Sequence, residues 1–375
     1  MGIFILRRTA VMIVTALCLT FIVFFLTNLF PNLEKLAKTQ GNFRMSDEAV
    51  TSWLDSHGYL QPLPIKYGQW LGVVPGWQFE NDAGEITGRC FKGAKSAEEA
   101  ADAKSFCGIL QGHWGQSTVF KDEVSTIIGR RLGRTGAMMF WVLLLMIPSA
   151  LVVGVMAGMR EGSKLDRSLS TFSILTTATP EYVSGVIFIA LFSSSAVGLK
   201  WFKGTATSAA DNMPIGYGYE WVPDWMVGFW YRVAEAPTFE NFFLPVLTIS
   251  LFGMGYIARM TRASMAEVMT AQYIRTARLK GVKFSNIVMK HALRNALIAP
   301  FTVIMLQFPW LLNGVVIVET LFNYKGFGWV LVQAAGNNDI ELLLAVSVVS
   351  VVVVLVTQLI SDIGYVFLNP RIRIS

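Results

Sequence analysis

The chain of 375 residues is 53% hydrophobic and only 15% charged, with a mean hydropathy of +0.50 and a net charge of +6. A soluble domain is about a quarter charged; here the deficit is gathered into long uncharged runs, which excludes a soluble globular protein and describes a polytopic membrane protein. The bases cluster at the ends of the apolar runs, as the positive-inside pattern requires, and this argues against a nucleic-acid groove.

A short basic start with Arg7 and Arg8 precedes an uncharged run from Thr9 to Phe30, about the length of a bilayer-spanning helix. The alternative is a signal peptide, but the run is long for one and no small-residue cleavage site follows before Pro31. It is read as the first span, running from inside to outside. Cys18 lies within it as a small lipid- or core-facing residue.

Residues 31–134 are polar, with acids and bases in balance, and follow an N-in span, so they are expected outside. Asp47–Ser56 reads as a short amphipathic helix with Ser46 as N-cap. Cys90 and Cys107 lie in a Gly-, Glu- and Ala-rich stretch; in an oxidising compartment they are candidates for a disulfide, and the alternative is two unpaired cysteines in a mobile insert. The three cysteines form no metal pattern with His57, His113 or His291, so no metal site is expected.

The second span is expected at Thr135–Met159 and the third at about Leu169–Val197, with a tight inside turn between them. The third contains Pro180 and Glu181, which are costly facing lipid. Residues 198–241 are outside again, and Trp201, Trp221, Trp225 and Trp230 suit an interfacial belt or a short re-entrant segment. The fourth span is about Phe242–Ala258 and the fifth Leu297–Leu321, with a short outside loop at 322–341. The sixth is Leu342–Ser361, before a basic tail with Arg371 and Arg373. Both ends are therefore expected inside.

No Gly-rich phosphate loop, nucleophile elbow or H-E-x-x-H motif occurs. Transport or scaffolding remains. Few charges lie inside the spans (Glu181, Glu319 and Asp362), which weakens an ion-coupled carrier.

Between the fourth and fifth spans, Arg259–Pro300 carries Arg259, Arg262, Arg275, Arg278, Lys280, Lys283, Lys290 and Arg294 against one acid, Glu267. Ala263–Lys280 is rich in helix formers, Gly281 breaks it, and a second helix is expected from Ser285, as N-cap, to Ala296. Such a basic helical pair either lies on anionic lipid or docks onto a soluble partner.

Tyr273-Ile274-Arg275-Thr276-Ala277-Arg278-Leu279-Lys280-Gly281, followed by His291-Ala292-Leu293-Arg294-Asn295-Ala296-Leu297-Ile298, resembles the cytoplasmic loop of dipeptide/oligopeptide ABC importer permeases. Phe4 to Arg8, Gln61-Pro62-Leu63 with Trp70-Leu71-Gly72, Val318 to Phe322 with Gly326-Phe327-Gly328, and Asn369 to Arg373 agree in order. The resemblance covers nearly the whole chain, with residues 73–107 as the main excess. In the family's loop pattern, Arg275 stands where a Glu is general, so the expected partner surface is acidic. Asn369 stands where the family often has Asp.

The resemblance implies an all-α membrane protein with six transmembrane helices, a type I ABC importer permease with a periplasmic insert after helix 1. The domain plan is then 1–30 (tail and first span), 31–134 (periplasmic), 135–368 (spans two to six, with the coupling loop 259–297) and 369–375 (cytoplasmic tail). It implies a multi-pass subunit of a bacterial inner membrane with no ATPase site or cofactor of its own; ATP and Mg belong to partner subunits. The implied partners are a homologous second permease, two cytoplasmic ATPase subunits, a periplasmic substrate-binding protein and the bilayer, with no nucleic acid. Tyr273, Arg275, Thr276, Ala277, Arg278, Gly281, His291 and Arg294 would form the ATPase-coupling loop. Glu181, Gln307, Asn313 and Glu319 are candidates for the translocation path, although the last three do not share one helix face. The implied function is import of peptides delivered by a binding protein. The alternatives are another solute of the same family (an opine, a nickel chelate or an oligosaccharide), or an ion-coupled carrier or membrane scaffold.

Overall fold

The structure is a computed structural model that describes residues 2–80, 86–91, 105–193, 201–202, 204–205 and 239–368. Trp221, Trp225, Trp230 and the tail from Asn369 to Arg373 lie outside the described residues. The longer helices are α1 (Gly2–Thr27), α2 (Phe30–Gln40), α3 (Asp47–Ser56), α4 (Leu63–Leu71), α5 (Val124–Gly158), α6 (Lys164–Ala178) and α7 (Glu181–Phe192). They continue as α8 (Phe239–Thr270), α9 (Gln272–Leu279), α10 (Phe284–Ala296), α11 (Ile298–Leu321), α12 (Phe327–Gly336) and α13 (Ile340–Leu368). Among the described residues, 4 helices are long and apolar enough to cross a membrane, and up to 6 spans result if each of two bent pairs is one span.

Several elements differ from the sequence expectation; the helix of the second span, for one, starts at Val124 rather than Thr135. The first span stops at Thr27 rather than Phe30, because Asn28 turns its amide back onto the Phe24 carbonyl and Pro31 starts α2. The third span is not one helix: α6 and α7 meet at 103°. Thr179, ahead of Pro180, is forced into extended backbone (φ −91°, ψ 118°), since the proline ring excludes the helical region for the residue before it. The 322–341 loop contains a helix, α12, and the insert adds the two-stranded antiparallel hairpin β1 (Gln78–Glu80) and β2 (Ile86–Gly88), absent from the all-helical reading.

The chain divides into two compact units. One comprises Gly2–Arg130 with Val330–Val353. Its core joins Phe24, Leu33, Leu36, Val50, Leu54 and Trp70 to Ile340 and Leu344. Ser46 caps α3 by accepting from the Ala49 N–H at 3.3 Å. Asp339, fully buried, accepts from the Ser117 hydroxyl and the Val119 and Leu342 N–H groups, which anchors the start of α13. Cys90 and Cys107 are bonded as a disulfide, with Cα atoms 5.4 Å apart.

The other unit comprises Arg131–Trp329 and the chain from Val354 onward. Its core is built by α5, α8 and α11 through Met138, Val142, Met146, Leu244, Ile249, Ile257, Leu311, Val318 and Phe322. Apolar burial drives little association between helices in lipid, so close van der Waals packing must hold them. Gly154 and Gly158 supply it on α5. A Cβ at Gly158 would lie 2.6 Å from the Met265 Cβ and 2.7 Å from the Arg262 carbonyl oxygen on α8. Gly255 on α8 lets it press equally close to α6, where a Cβ would stand 2.6 Å from the Ser173 carbonyl oxygen.

At the opposite end of this unit, Glu319 is fully buried near the C-terminus of α11. The Thr135 hydroxyl donates to one of its oxygens, and the Trp329 N–H donates to the other at 2.9 Å. Thr135 in turn accepts from the Phe327 N–H at 2.8 Å. The carboxylate thus receives the N-terminus of α12, where backbone donors lack intrahelical partners. A Cβ at Gly326 would sit 2.2 Å from a Glu319 oxygen, which explains the small residue there.

Two substitutions test this packing by thermal unfolding of the purified protein. Gly158→Val should cost about 1–3 kcal/mol by overpacking, while Gly136→Ala, inside the same helix but meeting nothing within 4 Å, should hold or slightly raise the midpoint. Glu319→Ala should cost about 1–3 kcal/mol for each buried donor it strands, with Glu319→Gln milder because one acceptor oxygen remains.

Candidate functional site

The candidate site is the segment from the end of α8 through α10. It is seated by an apolar cluster of Met265, Met269, Ile274, Ile287, Val288, Ala292 and Ala296, with Val155, Met159, Ala277 and Val282 packed against it. Ile274 is completely buried, which contributes about 1.5–3 kcal/mol. On α9 the inward positions are Ile274 and, half-buried, Ala277. Arg275, Arg278 and Leu279 share the outward face at i, i+3 and i+4 spacing. Leu279 is 83% exposed, a large apolar side chain held out among bases.

The segment departs from the sequence reading in two details. α8 runs without interruption to Thr270, and a break that neither Gly nor Pro announces comes at Ala271, whose backbone is extended (φ −64°, ψ 148°). The cap of the second helix is Lys283, not Ser285; Lys283 is itself extended (φ −53°, ψ 138°), so Ser285 already lies inside the first turn. Gly281 adopts φ +72°, a left-handed conformation that glycine accepts without strain, and it turns the chain between α9 and α10. Residues Ile287–Ala292 of α10 are wound as π-helix.

Of the residues singled out from sequence, Tyr273, Arg275, Thr276, Arg278, Gly281, His291 and Arg294 are exposed. Tyr273 is also a brace, since its hydroxyl accepts from the Asn295 amide at 2.9 Å and so ties α9 to α10. The candidate path residues are not brought together. Glu181 is half-buried at the start of α7, Gln307 is buried on α11, Glu319 is occupied with Thr135 and Trp329, and the Asn313 side chain lies outside the described residues.

What sequence reasoning missed is the root of the segment. Asp166, in the first turn of α6, is 3% exposed and receives Arg262 in a two-pronged pair: Nε to Oδ1 at 2.6 Å and a terminal nitrogen to Oδ2 at 2.9 Å. Gly162 N–H and the Ser170 hydroxyl also donate to Asp166, at 2.8 and 3.0 Å, and Ser163 caps α6 by accepting from the Asp166 N–H. Glu161 adds a longer contact to Arg262 at 3.8 Å. Arg160 lies over the Phe284 ring at 5.5 Å, so the α5–α6 turn also touches the start of α10. Two signals were available in the sequence: the Gly154-x-x-x-Gly158 spacing, and an Asp three residues after Ser163, where a helix N-terminus favours it.

Together these contacts make the segment a bracket against α5, α6 and α8. Its concealed side is apolar and ion-paired; its presented side is basic, with Leu279 at the tip. Such a surface can grip an acidic cleft and pass a push directly to α5, α6 and α8.

Residues 150–374 match the family described as "Binding-protein-dependent transport system inner membrane component". The chain is 28% identical over 373 residues to the "Probable peptide ABC transporter permease protein y4tP" of Sinorhizobium fredii, covering 100% of both chains. It is 27% identical over 374 residues to the "Oligopeptide transport system permease protein AppB" of Bacillus subtilis, again covering 100% of each. The matched segment takes in more than half of the chain, including the whole bracket, and the chain belongs to the family of inner-membrane components of binding-protein-dependent transport systems.

Proposed function

We propose that this chain is the permease subunit of an ABC importer of peptides and that the α9–Gly281–α10 segment is its coupling element. The observation that carries the coupling role is α9 itself: one face anchored by Ile274, the other presenting Arg275, Arg278 and the 83% exposed Leu279. The peptide assignment follows the peptide permease names of the relatives that match over their full length. The chain itself carries no phosphate-binding loop, so ATP and Mg belong to two cytoplasmic ATPase subunits, with a homologous second permease beside it and a periplasmic binding protein delivering solute. Both termini and the basic segment lie on the cytoplasmic side, consistent with the positive-inside pattern.

ATP-driven closure of the ATPases draws the coupling elements together. Because each element is bracketed to α5, α6 and α8, its displacement tilts those helices and opens the assembly to the binding protein; hydrolysis restores the inward state. Nucleotide thus biases a two-state equilibrium. Leu279 fills an apolar recess in the ATPase cleft, and Arg275 and Arg278 meet acidic groups on its rim.

Arg278→Glu reverses charge on the presented face and touches nothing that seats the bracket. The assembled complex should keep its melting midpoint while peptide uptake and binding-protein-stimulated ATPase activity fall roughly tenfold or more, the consequence of losing about 1.4 kcal/mol or more of docking energy. Uptake of a labelled oligopeptide in cells lacking other peptide importers is the readout. Wild-type rates in the variant would remove the coupling assignment, and uptake of a non-peptide solute alone would remove the peptide assignment.

A further inference from the structure

The unit formed by Gly2–Arg130 and Val330–Val353 contains a cavity of about 510 Å³, a size typical of small-molecule sites. Tyr59, Trp70, Trp77 and Trp114 give it aromatic walls, and Lys66 and Arg89 bring cations to it. The two cations are not equivalent. Arg89 faces Glu341 at 3.6 Å, an ion pair. The Lys66 ammonium has three N–H donors, of which one goes to the Tyr59 carbonyl at 2.8 Å and one to the Asn28 side-chain oxygen at 3.3 Å. Both acceptors are neutral. Burial lowers the Lys66 pKa, and no carboxylate acts to raise it again.

Among the described residues no carboxylate is bonded to this half-buried ammonium, and an anion that completes it is favoured over water because the site is partly desolvated. The cavity's position suggests how that group arrives. Phe24 and Asn28, at the end of the first apolar span, and Ile340 and Leu344, at the start of the last, line the same space, so it lies at the level where a span meets the polar boundary of the bilayer. Tryptophan and tyrosine favour that level.

We propose that this cavity is an anion-binding site, in which Lys66 donates its third N–H to a carboxylate or phosphate oxygen and the aromatic wall takes the apolar body that carries it. Two sources offer that chemistry, the phosphodiester of a boundary lipid and the free carboxylate of a solute. Glu341, ion-paired with Arg89 through one oxygen, and Glu123 line the same cavity and disfavour a second negative charge on the ligand, while the other Glu341 oxygen is buried without a hydrogen-bond partner, so the group is a monoanion or a zwitterion that also offers a hydrogen-bond donor. The site is independent of the coupling segment and does not depend on the import function.

The test uses the assembled complex purified in detergent. Binding of short-chain phosphatidylglycerol, of an N-acetylated dipeptide and of inorganic phosphate is measured separately by titration calorimetry. At least one of the first two should bind saturably, and inorganic phosphate, lacking the apolar body, should bind more weakly. Lys66→Met should weaken the binding probe by about tenfold or more, as loss of a charge-assisted hydrogen bond does, while Lys35→Gln, on the exposed side of α2, should not change it. If Lys66→Met fails to assemble, Lys66→Gln, which keeps a donor for the Tyr59 carbonyl, gives the same comparison. Saturable binding of the lipid probe alone identifies a lipid site, and of the dipeptide alone a solute site. No saturable binding of either, or equal binding by wild type and Lys66 variants, overturns the proposal.

Discussion

A carboxylate with 3% of its side chain exposed, gripped from two directions by one guanidinium, sets the geometry where α5, α6 and α8 meet. Asp166 could not be buried there alone. Its charge is matched by Arg262 and its remaining lone pairs by Gly162 and Ser170, the condition under which a buried ion pair holds rather than destabilises. Removing Arg262 leaves the buried Asp166 charge uncompensated, at about 3–5 kcal/mol, whereas Arg262, with 30% of its side chain exposed, keeps access to solvent when Asp166 is removed. The pair fastens the α5–α6 turn to α8 just before the chain enters α9 and α10, the proposed coupling element.

From that point the packing continues in one direction. Gly154 and Gly158 bring α5 against α8, Gly255 brings α6 against α8, and the apolar cluster around Met265 and Ile274 carries the contact onto α9 and α10. Each junction is short-range and backbone-close, so little can slide within it. A force on the exposed face of α9 therefore reaches the spans as a rotation or tilt of the bracket, not as a local deformation. The other end of α11 follows similar logic with a different device, since Glu319 takes up the hydroxyl of Thr135 and the Trp329 N–H at the start of α12 and so ties α5, α11 and α12 at one buried point.

Much of this was legible in the sequence because it depends on local rules. Apolar length marked the spans, Ser46 announced the cap of α3, and Gly281 announced the turn that its φ of +72° realises. The rest depends on partners distant in the chain. Asp166 and Arg262 are 96 positions apart, and Thr135 and Glu319 are 184 apart, so neither pairing leaves a periodic trace. Glu319 read as a path residue because a charge inside a span usually signals function; its neighbours show a carboxylate engaged with the end of a helix. The break at Ala271 has no Gly or Pro to mark it, and Ser285 lost the cap to Lys283 although its side chain is the better acceptor, because tertiary seating of Ile287 and Val288 sets the helix start. Pro180 was read as lying inside one span, and the 103° turn there follows from what α6 and α7 each pack against, which a propensity does not encode.

The central claim is that the proposed coupling segment and the α5–α6 turn move as one body. Spin labels at Lys164→Cys and Lys280→Cys, both exposed positions, in a Cys18→Ser background, report their separation by pulsed electron resonance in the assembled transporter. A rigid bracket predicts the same narrow distance distribution with and without trapped nucleotide, while the distance from Lys280→Cys to its counterpart on the second permease shortens with nucleotide. A Lys164–Lys280 distance that changes with nucleotide would contradict it.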